Sequence, residues 1–131
     1  MQDLEDAGLP LPTANQIEWN PGIVNKTFTP YTNHESFGAL REFCNAHEIS
    51  VNGYSPFGGN GHAGATFSQP SIQAIAAAHK VSPSQAVLRW NAQLNIPVIP
   101  QATNPEYQAE NLDIFGFELT WVGGLRDDWY P

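Results

Sequence analysis

The sequence predicts an α/β fold in which the strands run parallel. Short apolar segments alternate with stretches of helical spacing, in the order strand, helix, strand, loop, two helices, strand and helix. The apolar segment 97–100 stops at a proline, and Pro105 can open a helix shortly afterwards. Such a strand-to-helix junction is typical of a parallel sheet, because crossover helices return the chain to the same end of the sheet.

The first strand is predicted over residues 14–19, which read Ala-Asn-Gln-Ile-Glu-Trp and precede a turn-forming Asn-Pro-Gly. A helix is predicted next over Asn33–His47, since its apolar residues recur at helical spacing. Asn33 is the expected N-cap of this helix, because an asparagine side chain can accept a hydrogen bond from a free backbone N–H.

The middle of the chain predicts a second strand over Ile49–Tyr54 and a glycine-rich loop over Gly58–Gly64. The alanine-rich segment Ser71–His79 predicts a helix. Another helix is expected to begin after Ser82, where a proline takes the first helical position and Gln85 completes a capping box.

The last predicted elements are a third strand over Pro97–Pro100 and a helix over Pro105–Leu112. The backbone N–H groups at the start of that helix have the geometry to hold a phosphate. Residues 1–120 are assigned to one domain, and residues 121–131 to an irregular tail.

Composition excludes several classes of function. The net charge is -8 with only five Lys and Arg, which disfavours nucleic acid as a partner. No apolar run approaches the ~18 residues of a membrane span. The single cysteine, Cys44, fits an inert core thiol in a reducing compartment, and the four histidines lack metal-ligand spacing. We therefore expect a cytoplasmic protein without a metal, with an organelle as the alternative location.

A sheet of three parallel strands is incomplete by itself. Both faces of a parallel sheet are normally covered, and its edges carry unpaired backbone groups. We therefore expect that a protein partner, or a missing N-terminal half, completes this fold.

Four segments resemble blocks of the aldo-keto reductases and follow that family's order. They are residues 14–21 (Ala-Asn-Gln-Ile-Glu-Trp-Asn-Pro), 53–58 (Gly-Tyr-Ser-Pro-Phe-Gly), 84–90 (Ser-Gln-Ala-Val-Leu-Arg-Trp), and 98–100 (Val-Ile-Pro) with 110–111 (Glu-Asn). That family folds as a (β/α)8 TIM barrel. The resemblance thus implies a partial barrel, roughly strands six to eight with their helices.

The resemblance also implies reduction of a small-molecule carbonyl by NADPH or NADH. In that family an aspartate, a tyrosine, a lysine and a histidine carry out the reaction, and all four lie in the first half of the barrel. That half is absent from this sequence, so no catalytic residue is assigned. The chain alone is not expected to reduce carbonyls.

For the nicotinamide end of the cofactor, the resemblance implies four contact residues, and it implies one further residue beside the substrate. Gln16 matches the glutamine that hydrogen-bonds the carboxamide, and Tyr54 matches the aromatic residue that stacks on the ring. Ser55 and Phe57 match positions beside the pyrophosphate. Trp19 matches an apolar wall near the substrate mouth.

For the adenosine end, the resemblance implies that Glu110 and Asn111 contact the adenine. The expected 2′-phosphate binding site differs in sequence from that of the family. The family has a lysine or arginine and then a serine where this chain has Gln101 and Ala102. Tyr107 stands where a further arginine is expected. Weak binding of NADPH is therefore predicted, because charge-assisted hydrogen bonds contribute ~1.5–3 kcal/mol each.

Each of these residues also has a plain structural interpretation. Tyr54 can be a partly buried aromatic residue at a rim, and Gln16 can satisfy backbone groups at a strand end. Glu110 and Asn111 can belong to a solvated helix face. The loop Gly58–Gly64 lacks the spacing of a phosphate-binding P-loop and can be a flexible connection.

Two hypotheses for the function follow. In the first, the chain is the cofactor-binding half of an NAD(P)H-dependent carbonyl reductase. In the second, a truncated, reductase-like chain without enzymatic activity serves as a structural or interaction subunit. The aromatic tail and the missing cations favour the second, and the matching cofactor positions favour the first.

Overall fold

The computed structural model describes residues 1–24, 34–59, 61 and 63–119. Helices and two strands alternate along this part of the chain. In chain order the elements are α1 (Gln2–Asp6), β1 (Ala14–Glu18), α2 (Pro21–Val24), α3 (His34–Ala46), β2 (Ser50–Tyr54), α4 (Ala63–Phe67), α5 (Pro70–His79), α6 (Pro83–Gln93) and α7 (Pro105–Leu112).

The two strands form a parallel sheet, which confirms the predicted α/β class. Their register runs from the pair Ala14 and Ser50 to the pair Glu18 and Tyr54. Helix α3 lies in the crossover between them and packs against β2. Because both strands run the same way, their carboxyl ends lie at one edge of the sheet.

The predicted third strand is reduced to a single-residue bridge. Val98 pairs with Gly53 in the parallel sense. The Gly53 N–H donates to the Pro97 carbonyl at 2.8 Å, and the Ile99 N–H donates to the Gly53 carbonyl at 3.2 Å. Pro97 has no backbone N–H to donate to the Val51 carbonyl, so the ladder cannot extend before the bridge. After the bridge, β2 ends because Ser55 leaves the extended conformation, with φ 50°. The prediction of a strand over Pro97–Pro100 was therefore wrong in extent, although its direction was right.

The sheet has one face covered by helices and one open face among the described residues. Ile17 and Val51 point to the covered face, where they join the core. Alternate residues lie on the other face. These are largely polar or exposed, and they are Ala14, Gln16, Glu18, Ser50, Asn52 and Tyr54. We call this surface the open sheet face.

The core consists of two clusters of apolar side chains that meet at Ile17. The smaller cluster includes Cys44, which is fully buried, as expected for a core thiol. Each large side chain that is buried stabilises the fold by roughly 1.5–3 kcal/mol. The larger cluster contains Trp19, Ile72, Val87, Trp90 and Ile96.

Capping determines where the last two helices begin. The Gln85 N–H donates to the Ser82 hydroxyl oxygen at 3.1 Å, and the Ser82 N–H donates to the Gln85 side chain at 3.0 Å. This confirms the predicted capping box of α6. Asn104 caps α7 by accepting from the Glu106 N–H at 2.9 Å, and α7 has the predicted bounds.

Several other predictions differ from the structure or lie outside it. Helix α4 begins at Ala63, so Gly64 is helical and is not part of the predicted glycine-rich loop. The proposed N-cap Asn33 and the tail 121–131 lie outside the described residues. The boundary between residues 1–120 and the tail therefore stays a prediction.

The described part of the chain lacks two features. None of its helices combines the length and the apolar character that crossing a membrane requires. The same residues contain no group of three or more His, Cys, Asp and Glu side chains placed to hold a metal ion.

Gly53 lies where the backbone of β2 is approached closely from two sides. A Cβ at this position would lie 3.0 Å from the Trp19 Cβ and 3.1 Å from the Val98 Cγ1. Both contacts are shorter than most carbon–carbon contacts in proteins, and the Trp19 Cβ is fixed to the backbone. Glycine at position 53 therefore allows Val98 to reach the sheet.

We predict that Gly53→Ala lowers the free energy of unfolding by about 1–3 kcal/mol, because the added methyl group overpacks this contact. Urea denaturation measures the change. The matched control is Gly38→Ala in α3, where an added Cβ meets nothing within 4 Å. The control should raise stability by about 0.5–1 kcal/mol. Equal destabilisation by both substitutions would contradict this account.

Candidate functional site

Polar side chains gather at the edge of the sheet where the parallel strands end. Glu18 ends β1, Tyr54 ends β2, and Gln101 follows the bridged segment that contains Val98. Carboxyl ends of parallel strands are the usual place for a ligand site in an α/β fold. This edge is therefore the candidate site.

A cleft of about 530 Å³ opens at this edge, and we call it the strand-end cleft. Tyr54 contributes a ring that is 40% exposed, and Ile99 contributes an apolar side chain that is 58% exposed. The remaining lining residues include Ser55, Phe57 and Gln101. The cleft thus combines an accessible aromatic ring with a few polar groups, which is the usual character of a small-molecule site.

The backbone after β2 has an unusual conformation that shapes this cleft. Ser55 has a φ of 50°, which lies in the left-handed backbone region that residues other than glycine rarely adopt. Its carbonyl accepts from the Gly58 N–H at 2.9 Å and from the Asn20 side-chain amide at 3.2 Å. Positive-φ residues of this kind are concentrated at functional sites.

A second cleft of about 400 Å³ lies between the start of α6 and the side of α7, and we call it the helix cleft. Phe57 and Phe67 line it with rings in edge-to-face contact, 5.1 Å apart. The Ser84 hydroxyl donates to the Glu110 carboxylate at 2.7 Å. Glu110 is therefore held in one orientation beside an aromatic surface.

The two clefts adjoin, since Phe57, Ala63 and Gln101 line both. Six of the seven residues predicted to bind a cofactor line one cleft or the other, and these are Tyr54, Ser55, Phe57, Gln101, Glu110 and Asn111. The seventh, Gln16, lines neither. It lies on the open sheet face, two residues before Glu18, which pairs with Tyr54 on that face.

The clefts carry little positive charge. No Lys, Arg or His occurs among the described residues that line them, and Glu110 is their one carboxylate. Gln101 is exposed where the clefts meet, and Tyr107 is 59% exposed on the first turn of α7. Asn104 already caps that turn. A dianion at this place would meet backbone N–H groups and amides, with an acidic side chain nearby.

The prediction for Trp19 requires a correction. Its side chain is fully buried and stacks on Trp90 with the ring centroids 6.4 Å apart. It does not belong to either cleft. An indole closed off from solvent cannot form the wall of a substrate mouth in this structure. The family resemblance alone implied that role.

Comparisons with known proteins identify the family. The model of the aldo/keto reductase family matches residues 1–121. The chain belongs to this family. Among curated aldo-keto reductases, one from Mycolicibacterium smegmatis is 39% identical over 109 residues, which are 83% of this chain and 33% of the relative. The 9,11-endoperoxide prostaglandin H2 reductase of Trypanosoma cruzi is 35% identical over 134 residues. The match covers 92% of this chain and 43% of that protein.

Solved structures agree with this aldo/keto reductase assignment. A mutant of Gox0644 in complex with NADPH superposes with a TM-score of 0.71 and is 35% identical, over 97% of this chain and 39% of that one. This aldo/keto reductase chain therefore spans about a third to two fifths of the length of the proteins it matches. Its parallel α/β structure is a part of the (β/α)8 barrel.

Three residues lie at the candidate site although the sequence analysis did not assign them to a site. Ser84 was recognised only as part of a helix start, yet its hydroxyl holds Glu110. Phe67 lines the helix cleft from a helix that the sequence did not predict. Asn20 was interpreted as part of a turn, yet it is buried and bonded to the Ser55 carbonyl. An asparagine between a strand and a proline is a weak signal by itself.

We predict that Trp19→Leu lowers the free energy of unfolding by about 2–3 kcal/mol, because it leaves a cavity beside Trp90. Urea denaturation again measures the change. Phe115→Leu is the control, since Phe115 is 74% exposed, and it should change stability by no more than about 0.5 kcal/mol. If the two substitutions had similar small effects, Trp19 would not be a core residue.

Proposed function

We propose that this chain is the cofactor-binding part of an NAD(P)H-dependent carbonyl reductase. The observation that carries the proposal is the continuity of the two clefts, which together include six of the seven residues predicted at cofactor-binding positions. Each cleft lies in the volume range of small-molecule sites, ~300–1,000 Å³. A dinucleotide is long enough to require two adjoining clefts.

The chemistry of each cleft suits one end of a dinucleotide. In the proposal the nicotinamide lies against the ring of Tyr54, with Gln16 near its carboxamide and with Ser55 and Phe57 beside the pyrophosphate. Tyr54 and Gln16 share the open sheet face, which supports this arrangement. An accessible aromatic ring gives a flat surface for stacking.

The adenine end is assigned to the helix cleft. Glu110 and Asn111 present an acceptor and an amide, and Phe57 and Phe67 present apolar ring edges and faces. The hydrogen bond from Ser84 fixes the Glu110 carboxylate before a ligand arrives. A group held in advance loses less conformational entropy on binding.

The absence of cations among the described lining residues does not suit a 2′-phosphate. We therefore propose that the chain prefers NADH to NADPH. Replacing one charge-assisted hydrogen bond by a neutral contact costs about 1–2 kcal/mol, and Glu110 adds repulsion for an anion. When bound, the reduced nicotinamide supplies the hydride, while the residues of this chain bind and orient it.

Reduction also needs a proton donor, which the proposal assigns to polypeptide outside this sequence. The chain covers 33% and 43% of the two curated relatives. By the family resemblance, the cofactor positions are those of the second half of the barrel. The proposal is that the remaining part of the barrel, from the same longer protein or from a separate chain, supplies the catalytic Asp, Tyr, Lys and His and the contacts to a carbonyl substrate.

Two surfaces of the described chain support the need for such a complement. The open sheet face has no covering layer in the described residues, although a parallel sheet normally has one on each side. An apolar groove also follows Val98, with Leu88, Ile114 and Phe115 along it. Leu112 is 77% exposed beside it. Exposed apolar surface of this kind favours association.

The second candidate function is non-enzymatic. In it the chain is a reductase-like subunit that keeps the fold and binds another protein through the same surfaces. The observation that favours it is the absence of cations among the described residues of the two clefts. Retention of NADH binding distinguishes the enzymatic proposal from this one.

The cofactor proposal predicts a change in preference when a cation is restored. Titration of the intrinsic fluorescence with NADH and NADPH should give tighter binding of NADH to the chain. Gln101→Lys should strengthen NADPH binding about tenfold or more, because one charge-assisted hydrogen bond is worth about 1.5–3 kcal/mol. NADH binding should change much less.

Ala109→Lys is the matched control for this titration. It adds the same charge to α7 at an exposed position that lines neither cleft. Its effect on NADPH binding should be small and should vanish at high salt. If Ala109→Lys and Gln101→Lys improved NADPH binding equally, the phosphate would not lie at Gln101.

The enzymatic proposal predicts that a chimera will be active. In this chimera the chain replaces the matching 39% of Gox0644, whose remaining sequence supplies the rest of the barrel. The chimera should oxidise NADH with an aldehyde, whereas the chain alone should not. Tyr54→Ala in the chimera should weaken NADH binding. A chimera that folds but neither binds nor oxidises either cofactor would favour the non-enzymatic function.

A further inference from the structure

A buried asparagine links the ends of the two strands at the strand-end cleft. Asn20 follows β1 and is 2% exposed. Its side-chain amide lies 3.2 Å from the carbonyl oxygen of Ser55, a residue 35 positions later in the chain. The same amide nitrogen lies 3.4 Å from a carboxylate oxygen of Glu18. Asn20 therefore joins the end of one strand to the start of the cleft loop after the other.

The backbone that Asn20 contacts is the part that most needs support. Ser55 has φ 50°, which is disfavoured for a residue with a side chain, so its neighbours must hold it there. The Gly58 N–H bonds the same carbonyl at 2.9 Å and closes a turn. A Cβ on Gly59 would lie 2.8 Å from the Ser55 hydroxyl oxygen. The loop is thus closely packed around the orientation of Ser55.

This orientation determines which groups face the strand-end cleft. Tyr54 precedes Ser55 directly, and the Tyr54 carbonyl accepts from the Trp19 N–H at 3.1 Å. The carbonyls of Tyr54, which ends β2, and of Ser55, which follows it, are therefore bonded to two consecutive residues after β1. Release of the second bond would free the Ser55 peptide to rotate, and the Ser55 side chain would move with it.

We propose that Asn20 is a positioning residue for the nicotinamide half of the site. Its amide holds the Ser55 carbonyl, and through it Ser55 and Tyr54 are set toward the strand-end cleft. This role rests on the proposed function, since it assumes that the cleft binds a dinucleotide. The side chain at position 20 must be a hydrogen-bond donor, because the Ser55 and Glu18 atoms that the Asn20 amide nitrogen contacts are both oxygens.

The test compares Asn20→Asp with Asn45→Asp. The first replaces the donor by a carboxylate of the same size beside Glu18, and the second makes the same change at an exposed position of α3. Isothermal titration with NADH and with AMP separates the two clefts. Asn20→Asp should weaken NADH binding about tenfold and leave AMP binding within about twofold. Asn45→Asp should change neither.

A second measurement does not depend on any ligand. Hydrogen–deuterium exchange of the peptide covering residues 55–59 reports the bond from the Gly58 N–H to the Ser55 carbonyl. Asn20→Asp should speed exchange there and leave the amides of α6 unchanged. Asn20→Ala removes the donor without adding a charge, and it should give the same pattern if the aspartate variant fails to fold.

Two results would overturn the positioning role. One is unchanged NADH binding and unchanged exchange in both Asn20 variants. The other is faster exchange across α6 as well as the loop, or equal losses of NADH and AMP binding, since a general loss of stability would then explain the effect. If the unsubstituted chain bound neither NADH nor AMP, the proposed function would fail separately, and the exchange data would still decide whether Asn20 holds this loop.

Discussion

The parallel pairing of β1 with β2 is the constraint on which the rest of the described structure depends. It joins segments whose paired residues are 36 positions apart, as Glu18 and Tyr54 are. A parallel pair needs a crossover helix, and α3 supplies it. The pairing also brings two strand ends to one edge, so that the turn after β1 can bond the loop after β2. Both the strand-end cleft and the bond from Asn20 to Ser55 follow from this register.

Features that depend on neighbouring residues could be predicted from sequence, and features that depend on distant contacts could not. The capping box at Ser82 and the bounds of α7 are local, because a cap needs only residues within one turn. The third strand was overestimated, since Pro97 lacks the N–H that would extend its pairing with β2. The burial of Trp19 required knowledge of Trp90, which lies on α6. The left-handed backbone of Ser55 has no sequence signal of its own, because glycine is the residue usually expected there.

The junction after Pro100 separates what a backbone supplies from what side chains supply. A capped helix start offers N–H groups to an anion, and Asn104 and Glu106 complete that start here. Those N–H groups occur in any chain with this turn, whatever its side chains. Discrimination between a phosphate and a hydroxyl comes from the neighbouring cations, which are absent from the described residues of both clefts. The fold and the proposed cofactor preference therefore depend on different atoms of the same segment.

The proposed function couples cofactor binding to the covering of the open sheet face. Tyr54 lines the strand-end cleft and also lies on the open sheet face with Gln16, so polypeptide that covers this face also closes one side of the cleft. Closure removes water from the stacked ring and strengthens polar contacts beside it. Coupling between two binding events is reciprocal, so a bound dinucleotide must in turn favour the covering polypeptide by the same free energy.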